Sequence, residues 1–120
     1  MKTHLMLRLL TIIKKEIPMK NKIINIHPGE ILKTEYLEEL GIKANHLSIA
    51  TGIPRSNLSE ILKGKRGITA DISLRIGKFF NQSEGFWLNL QFLYEMSEAK
   101  RRSRKIVEKI KSYETLKIAG

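Results

Sequence analysis

The segment from Leu47 to Ile61 constrains the fold of this 120-residue chain more than any other. Ser48, a small residue, is followed four positions later by Gly52, which can adopt a positive backbone φ angle without steric cost. The apolar residue Ile53 comes next, and Leu58 lies six positions after the glycine. Two helices that cross steeply through a short turn need a small residue, a glycine and two apolar anchors at this spacing. The segment therefore predicts a helix-turn-helix.

Apolar side chains at helical spacing predict three more helices, one before this pair and two after it. The first helix is expected to start within His27-Pro28-Gly29-Glu30, where His27 marks the start of the helix and is not a ligand. The pair itself is predicted over residues 44–51 and from Pro54 through Lys63. Thr69 and Ser83 are the predicted N-caps of the fourth and fifth helices. Because strand signals are almost absent, we expect an all-α domain of five helices.

Charge divides the chain into three parts. Residues 1–26 carry six Lys and Arg against one Glu, residues 27–99 eight against nine acidic residues, and residues 100–120 eight against two. The net charge of +10 therefore lies in the two ends, and it indicates an acidic partner such as nucleic acid. We predict an N-terminal extension over residues 1–22, a helical domain over 23–99 and a basic C-terminal segment over 100–120. The alternative is that both ends are solvated tails without a partner.

The basic C-terminal segment contains apolar residues at helical spacing: Ile106, Val107, Ile110 and Tyr113. It can extend the fifth helix or form a sixth, amphipathic helix whose polar side is cationic. Such a helix could contact DNA, an acidic protein surface or water alone.

The chain has no cysteine, which excludes disulfides and a thiolate metal site and is compatible with a reducing cytoplasm. Its three histidines have no carboxylate at a metal-ligand spacing, so we expect no metal or other cofactor. No apolar run reaches the roughly 18 residues of a membrane helix, and we expect a cytoplasmic protein without a membrane partner. The basic, apolar start resembles a signal peptide, but Arg8 interrupts it and no small-residue cleavage site follows. Met1 and Met19 are both candidate start residues.

The second helix of a helix-turn-helix lies in the DNA major groove, with its N-terminal residues against base edges. The predicted base contacts face away from the apolar anchors: Arg55, Ser56, Asn57, Ser59 and Glu60. Arg55 can address guanine O6 and N7, and Asn57 can address adenine. Glu60 can accept a hydrogen bond from cytosine or orient a neighbouring cation, Arg55 or Lys63. The alternative is that this polar face is only solvated.

Two groups of residues flank these positions and are candidate phosphate contacts. Lys43, Asn45 and His46 cluster at the start of the second helix, where amides and side chains commonly meet phosphate. Lys63, Lys65 and Arg66 follow the third helix and add positive charge beside the expected DNA backbone.

Four strings of residues together resemble one family. They are His27-Pro28-Gly29-Glu30, the segment from Leu47 to Gly64, Arg66-Gly67-Ile68-Thr69, and Phe86-Trp87-Leu88-Asn89-Leu90-Gln91 with Tyr94. This combination resembles the HigA/VapI group of antitoxins, or addiction-module antidotes, within the lambda-repressor-like Xre/Cro class of helix-turn-helix proteins. The resemblance covers about residues 23–99, and the last string is its most specific part.

The resemblance implies a homodimer that binds a palindromic operator in its own promoter and represses its operon. It also implies a complex that inactivates a HigB-type, RelE-like toxin, an endonuclease that cleaves mRNA on the ribosome. The implied DNA contacts are Arg55, Ser56, Asn57 and Ser59, which also follow from the helix-turn-helix pattern. Pro54 departs from the small hydroxyl residue often found at that position, which removes a capping side chain and its possible phosphate contact.

The apolar residues of the fifth helix have two interpretations, as core or as a partner-binding surface. We assign Trp87 and Leu90 to the core, and Phe92 and Tyr94 to a dimer interface, because Phe92 lies off the main apolar stripe. Two other functions stay open: a protein-only inhibitor without operator affinity, and a stand-alone regulator without a toxin. An enzyme is not expected, since the chain has no Gly-rich phosphate loop, activated nucleophile or acidic metal cluster.

Overall fold

The computed structural model describes residues 25–119, and every regular element in that range is a helix. Helix α1 begins as an α-helix at Pro28–Ile31 and continues as a π-helix over Leu32–Glu38; the others are α2 (Ala44–Thr51), α3 (Arg55–Leu62), α4 (Ala70–Phe79), α5 (Phe86–Glu108) and α6 (Tyr113–Ala119). The predicted all-α class is confirmed, and α2 has the predicted bounds. The predicted N-terminal extension and the choice between Met1 and Met19 lie outside the described residues.

The core forms where the apolar faces of α1 to α5 meet. Its most deeply buried side chains are Leu32, Tyr36, Leu47, Ile53, Leu58, Ile61, Ile76 and Trp87. Each residue of this size contributes about 1.5–3 kcal/mol when it leaves water, so the core holds the helix-turn-helix as one rigid unit. The two anchors of the sequence pattern, Ile53 and Leu58, are both fully enclosed, as predicted.

His27 forms the N-cap of α1, as predicted. Its ring Nδ1 accepts a hydrogen bond of 2.9 Å from the Gly29 amide, which satisfies one of the free N–H groups at the start of the helix. Gly29 packs directly against the end of α3, and a Cβ atom there would lie 1.7 Å from the Ile61 carbonyl oxygen. The first turn of α1 therefore contacts the C-terminal end of α3 backbone to backbone.

The prediction that Ser83 caps the fifth helix is wrong. The N-cap residue is Gly85, and a glycine has no side chain that could form a capping hydrogen bond. The capping hydroxyl comes from α4 instead: Ser73 Oγ accepts from the Leu88 amide at 3.1 Å and donates to the Glu84 carbonyl at 2.6 Å. Because Ser73 is buried, this cap also joins α4 to the start of α5.

Polar side chains inside the core explain part of the string from Phe86 to Gln91. Gln82 accepts a hydrogen bond from Trp87 Nε1 at 2.7 Å and donates one to the Tyr36 hydroxyl at 2.9 Å. Burial raises the pKa of Tyr36 to about 12, so its phenol stays protonated. Gln91 accepts from the Ile68 amide at 2.9 Å, which fixes the loop between α3 and α4.

The two alternatives for the basic C-terminal segment are each realised in part: α5 includes Ile106 and Val107, whereas a separate helix begins only at Tyr113. Helix α5 continues without a break from residue 99 to Glu108, and the short helix α6 follows after a turn. The last fully buried side chain is Gln91, and from residue 104 to residue 118 every side chain is exposed. Within residues 25–119, no helix combines the length and apolar character needed to cross a membrane. Helix α5 therefore extends well beyond the domain that it packs against.

Candidate nucleic-acid interface

The turn between α2 and α3 has the geometry that its sequence predicts. Gly52 has a φ angle of +78° and its amide bonds to the Ser48 carbonyl at 2.9 Å. Ser48 does more than leave space for the crossing helix, because its hydroxyl donates to the Ile53 carbonyl at 2.5 Å. Thr51 Oγ1 accepts from the Ile53 amide at 3.3 Å. Side chains of α2 therefore fix the backbone immediately before α3.

Arg75, which the sequence analysis did not single out, braces the same turn from α4. Its Nη1 donates to the Thr51 carbonyl at 2.9 Å, and its Nε pairs with Asp71 at the same distance. The carbonyl at the C-terminal end of a helix carries partial negative charge, so a guanidinium is a favourable partner. The i,i+4 spacing of Asp71 and Arg75 in the sequence indicates their ion pair. No sequence pattern indicates the contact between Arg75 and Thr51, because it joins distant parts of the chain.

Helix α3 begins at Arg55, one residue later than predicted, because Pro54 has an extended ψ of 139° and serves as the N-cap. The last helical residue is Leu62, one residue earlier than predicted, and Lys63 is the C-cap. The buried side of the helix is formed by Leu58 and Ile61. Of the five candidate base contacts, Arg55, Ser56 and Glu60 are exposed, whereas Asn57 and Ser59 are half-buried.

Glu60 orients neither Arg55 nor Lys63. Its carboxylate forms an ion pair with Arg66 at 2.8 Å, which joins the end of α3 to the loop that follows. Both side chains are about half exposed, so the pair is a weak one by itself. A predicted base contact and a predicted phosphate contact thus hold each other in place.

The candidate phosphate contacts lie on the surface at both ends of the helix pair. Lys43 is the N-cap residue of α2, and Asn45 and His46 follow it in the first turn; all three are exposed. Lys63 and Lys65 are exposed after α3. Lys33 of α1, which the sequence analysis missed, lines one surface groove together with Arg55 and Lys63. No local sequence pattern indicates this position of Lys33, because it depends on how α1 packs against α3.

The two candidate dimer contacts are separated by the structure. Phe92 is 57% exposed on the outer side of α5, with Leu88 and Met96 exposed one turn before and after it. Tyr94 is half-buried and packs edge-on against His27 of its own chain, with 5.1 Å between ring centroids. Trp87 is fully buried and Leu90 nearly so, as predicted. Among residues 25–119, no group of three or more His, Asp or Glu side chains is placed to hold a metal ion.

These features define a helix-turn-helix protein of the lambda-repressor-like class, in which a rigid helix pair presents a polar face on α3. The chain is 40% identical over 87 residues to virulence-associated protein I of Dichelobacter nodosus, an alignment that covers 72% of this chain and 81% of that protein. No protein-family model matches the chain.

Two solved structures are similar to this chain in sequence and in fold. An addiction module antidote protein of a HigA family from Coxiella burnetii is 42% identical, with a TM-score of 0.68 over 74% of this chain and 98% of that one. The antitoxin HigA of Pseudomonas aeruginosa, solved with the higBA promoter, is 36% identical, with a TM-score of 0.70 and the same coverage of both chains. The chain therefore belongs to the HigA/VapI family of helix-turn-helix antitoxins, as its motifs predict, and this family is one of regulators and not of enzymes.

Proposed function

We propose that this chain is a cytoplasmic antitoxin that binds an operator in its own promoter through α3 and represses its operon. The observation that carries this proposal is the construction of α3. Leu58 and Ile61 lock one side of the helix into the core, while Arg55, Ser56 and Glu60 face solvent on the other. A helix held this firmly presents hydrogen-bonding groups to a major groove with little loss of conformational entropy.

In this proposal the two halves of the polar face have different tasks. Arg55 and Asn57 read base edges, where each bidentate contact discriminates by about 1–3 kcal/mol, with Ser56, Ser59 and Glu60 as further contacts. The residues that hold the phosphate backbone are Lys43, Asn45, His46, Lys63, Lys65 and Arg66. Phosphate contacts set the register of the helix on the duplex, and base contacts supply the sequence preference.

The ion pair between Glu60 and Arg66 must open before either residue can contact DNA. When Arg66 turns toward phosphate, Glu60 is released for a cytosine amino group; when the pair stays closed, neither contact is made. The closed pair costs little to open because both groups are half exposed. We therefore expect the two residues to act together on DNA.

The proposed repressor is a homodimer, because a palindromic operator requires two copies related by a two-fold axis. Phe92, with its exposed ring on α5, is a proposed contact residue of the dimer. Tyr94 is not part of this proposed contact, because it is half-buried against His27 of its own chain on the nearly opposite side of α5. The DNA-binding domain is the part over residues 23–99, and the basic segment after it is an extension.

The proposed partner of the antitoxin is a HigB-type, RelE-like toxin that cleaves mRNA. Membership of the HigA/VapI family supports this assignment. Co-expression tests it: the chain should co-purify with the toxin encoded beside it and suppress mRNA cleavage in a translation extract. A chain that binds operator DNA but leaves cleavage unaffected would be a stand-alone regulator.

DNA binding is tested by fluorescence anisotropy of the chain on its own upstream DNA, beside scrambled DNA of equal length and at several salt concentrations. We expect selective binding of two chains per site. Residues 27–99 carry a net charge of −1, so the outcome that would contradict the proposal is specific: binding that ignores sequence and collapses with salt. The basic ends would then account for all the binding, and a protein-only inhibitor would be the better description.

A further inference from the structure

Helix α5 carries an apolar stripe on the side that faces away from the core. At about 100° per residue, Leu88, Phe92, Ala99 and Ile106 lie within roughly 40° of one another around the helix. The three large ones are exposed by 39%, 57% and 67%. Trp87 and Leu90, which anchor the helix to its own domain, lie on the opposite side and are buried. The large side chains of the stripe are therefore exposed both beside the domain and beyond it, with the half-buried Ala99 between them.

Two large apolar residues of the stripe are placed symmetrically about its middle. Ala99, a small residue, lies at the centre, and Phe92 and Ile106 are placed symmetrically about it. Large apolar side chains at both ends and a small one between them suit two helices that cross closely in the middle.

The charges of α5 are not symmetric about Ala99. From Phe86 to Ala99 the helix contains Glu95 and Glu98 and no basic residue. From residue 100 to its end it contains five Lys and Arg and only Glu108. Two such helices side by side in the same direction would place like charges together, whereas in opposite directions each acidic half lies along a basic half.

We propose that α5 pairs with α5 of a second copy in an antiparallel arrangement, with the two-fold axis at Ala99. This inference rests on the homodimer proposed above and adds its orientation, its register and a specific ion pair. The interface is isologous, so Phe92 contacts the partner's Ile106 and Ile106 contacts the partner's Phe92.

The register brings Glu95 to the partner's Arg102, twice in each dimer. Both residues lie on the same edge of the stripe, Glu95 one turn before Ala99 and Arg102 nearly one turn after it. Glu95 is held in position by Gln91, whose Nε2 donates to its carboxylate at 2.8 Å. Arg102 donates to the Glu98 carbonyl at 3.3 Å. No ion pair within residues 25–119 involves either charge, and in the proposed arrangement each faces the other across the two-fold axis.

This arrangement also gives a spacing between the two domains. Each domain packs on α5 around Trp87 and Leu90, about 9–12 residues from the axis. At 1.5 Å per residue the two domains lie about 30 Å apart along the helix pair, near the 34–36 Å between half-sites one turn apart. An antiparallel α5 pair therefore separates the two domain anchors by about the length of one DNA turn.

Single cysteines test the orientation, because the chain has none of its own. Disulfide formation requires Cα atoms within about 7 Å. Ala99→Cys should form a dimer-linking disulfide under mild oxidation. Phe92→Cys alone should not, since the two copies of this residue would be about 21 Å apart along the helices. A mixture of Phe92→Cys and Ile106→Cys chains should link. Self-linking of Phe92→Cys without linking of Ala99→Cys would overturn the antiparallel arrangement.

Charge exchange tests the register, with the dimer dissociation constant measured by sedimentation equilibrium without DNA. Glu95→Arg and Arg102→Glu should each weaken the dimer by about tenfold, since each replaces two attractions by two repulsions. The double variant Glu95→Arg/Arg102→Glu should recover most of this loss. Arg104→Glu changes the charge equally, but Arg104 lies about 140° from Ala99 around the helix, so this control should leave the dimer intact.

Wild-type behaviour separates this inference from the proposed function. A wild-type chain that stays monomeric at tens of micromolar would overturn both the homodimer and the α5 pair, whatever its DNA affinity. A stable wild-type dimer in which charge exchange gives no recovery would overturn only the α5 pair. In that case the stripe would be free for the toxin or another protein.

Discussion

The backbone contact between α1 and α3 predicts that replacing Gly29 by alanine destabilises the protein, although such a replacement in a helix is usually stabilising. Gly29→Ala lies in the first turn of a helix, where replacing glycine by alanine is ordinarily favourable by up to about 1 kcal/mol. Here the added Cβ would lie 1.7 Å from the Ile61 carbonyl oxygen and 2.7 Å from its carbon. Real contacts of this kind are about 3.2 Å or longer, so the two backbones would have to separate by roughly 1.5 Å. Neither atom belongs to a flexible side chain that could move aside.

The magnitude follows from what this separation disrupts. Overpacking a core typically costs about 1–3 kcal/mol, and a displaced backbone belongs at the upper end of that range. Moving α1 also weakens the His27 cap, which contributes about 1 kcal/mol. After the gain in helix propensity is subtracted, we expect Gly29→Ala to lower the free energy of unfolding by about 2–3 kcal/mol. For a domain of this size that corresponds to a fall in Tm of about 10 °C or more.

Urea unfolding followed by the fluorescence of Trp87 measures this change, since Trp87 is the only tryptophan and is fully buried. Gly85→Ala is the matched control. A Cβ at Gly85 meets nothing within 4 Å and the residue has a negative φ angle, so its substitution should change stability by less than about 0.5 kcal/mol. If Gly29→Ala were as stable as the wild type, the close approach of α1 to α3 would be refuted.

Three further predictions concern DNA binding and pH. Arg55→Ala should weaken operator binding by about 1–3 kcal/mol and reduce discrimination among operator variants in anisotropy titrations; equal affinity across variants would exclude base reading by Arg55. Lys65→Ala should weaken binding to all sequences alike and lower the salt slope by about one unit, and a sequence-selective loss would contradict a phosphate role. Burial lowers the pKa of His27 from 6.5, so the folded state binds this proton less readily than the unfolded chain. The contribution of neutral His27 to stability should be complete above about pH 6.5 and be lost as the pH falls through the folded-state pKa. Urea titrations should show a smaller loss of stability at low pH for His27→Asn, whose amide oxygen can still cap α1. Equal pH dependence of the variant and the wild type would exclude His27 as the cause.

The parts of the fold that were predictable from the sequence are those with local causes. Gly52 and Ile53 were informative because the turn of a helix-turn-helix depends on residues within a few positions of each other. The same holds for Thr69, whose hydroxyl accepts from the Ile72 amide at 3.3 Å, as an N-cap should. Helix existence and the main apolar anchors follow from spacing alone.

The parts that were not predictable depend on contacts between distant positions. The start of α5 was misplaced because its capping hydroxyl belongs to Ser73 on α4, and a nearby serine carried the same local signal. Arg75 was missed because its contact with Thr51 spans 24 positions of the chain. Tyr94 was grouped with Phe92 although two positions on a helix differ by about 200°, so they face nearly opposite sides.

The candidate site shows the same division. Sequence spacing places Arg55 and Ser56 on the exposed side of α3, and the structure agrees. The pairing of Glu60 with Arg66 needs the loop to fold back along the helix, which residue spacing does not reveal. Lys33 lines the same surface groove as Arg55 and Lys63 only because α1 packs beside α3.

The most direct test of operator recognition by α3 is to map where this helix lies on DNA. Ser56→Cys provides a single thiol on the exposed start of α3, and an iron chelate attached there cleaves the nearest DNA sugars. A label on Glu84→Cys, in the turn before α5, is the control. We expect two clusters of major-groove cleavage in the upstream DNA, one helical turn apart, and none from the control. Cleavage spread evenly along the DNA, or confined to the control label, would contradict the placement of α3 in the major groove.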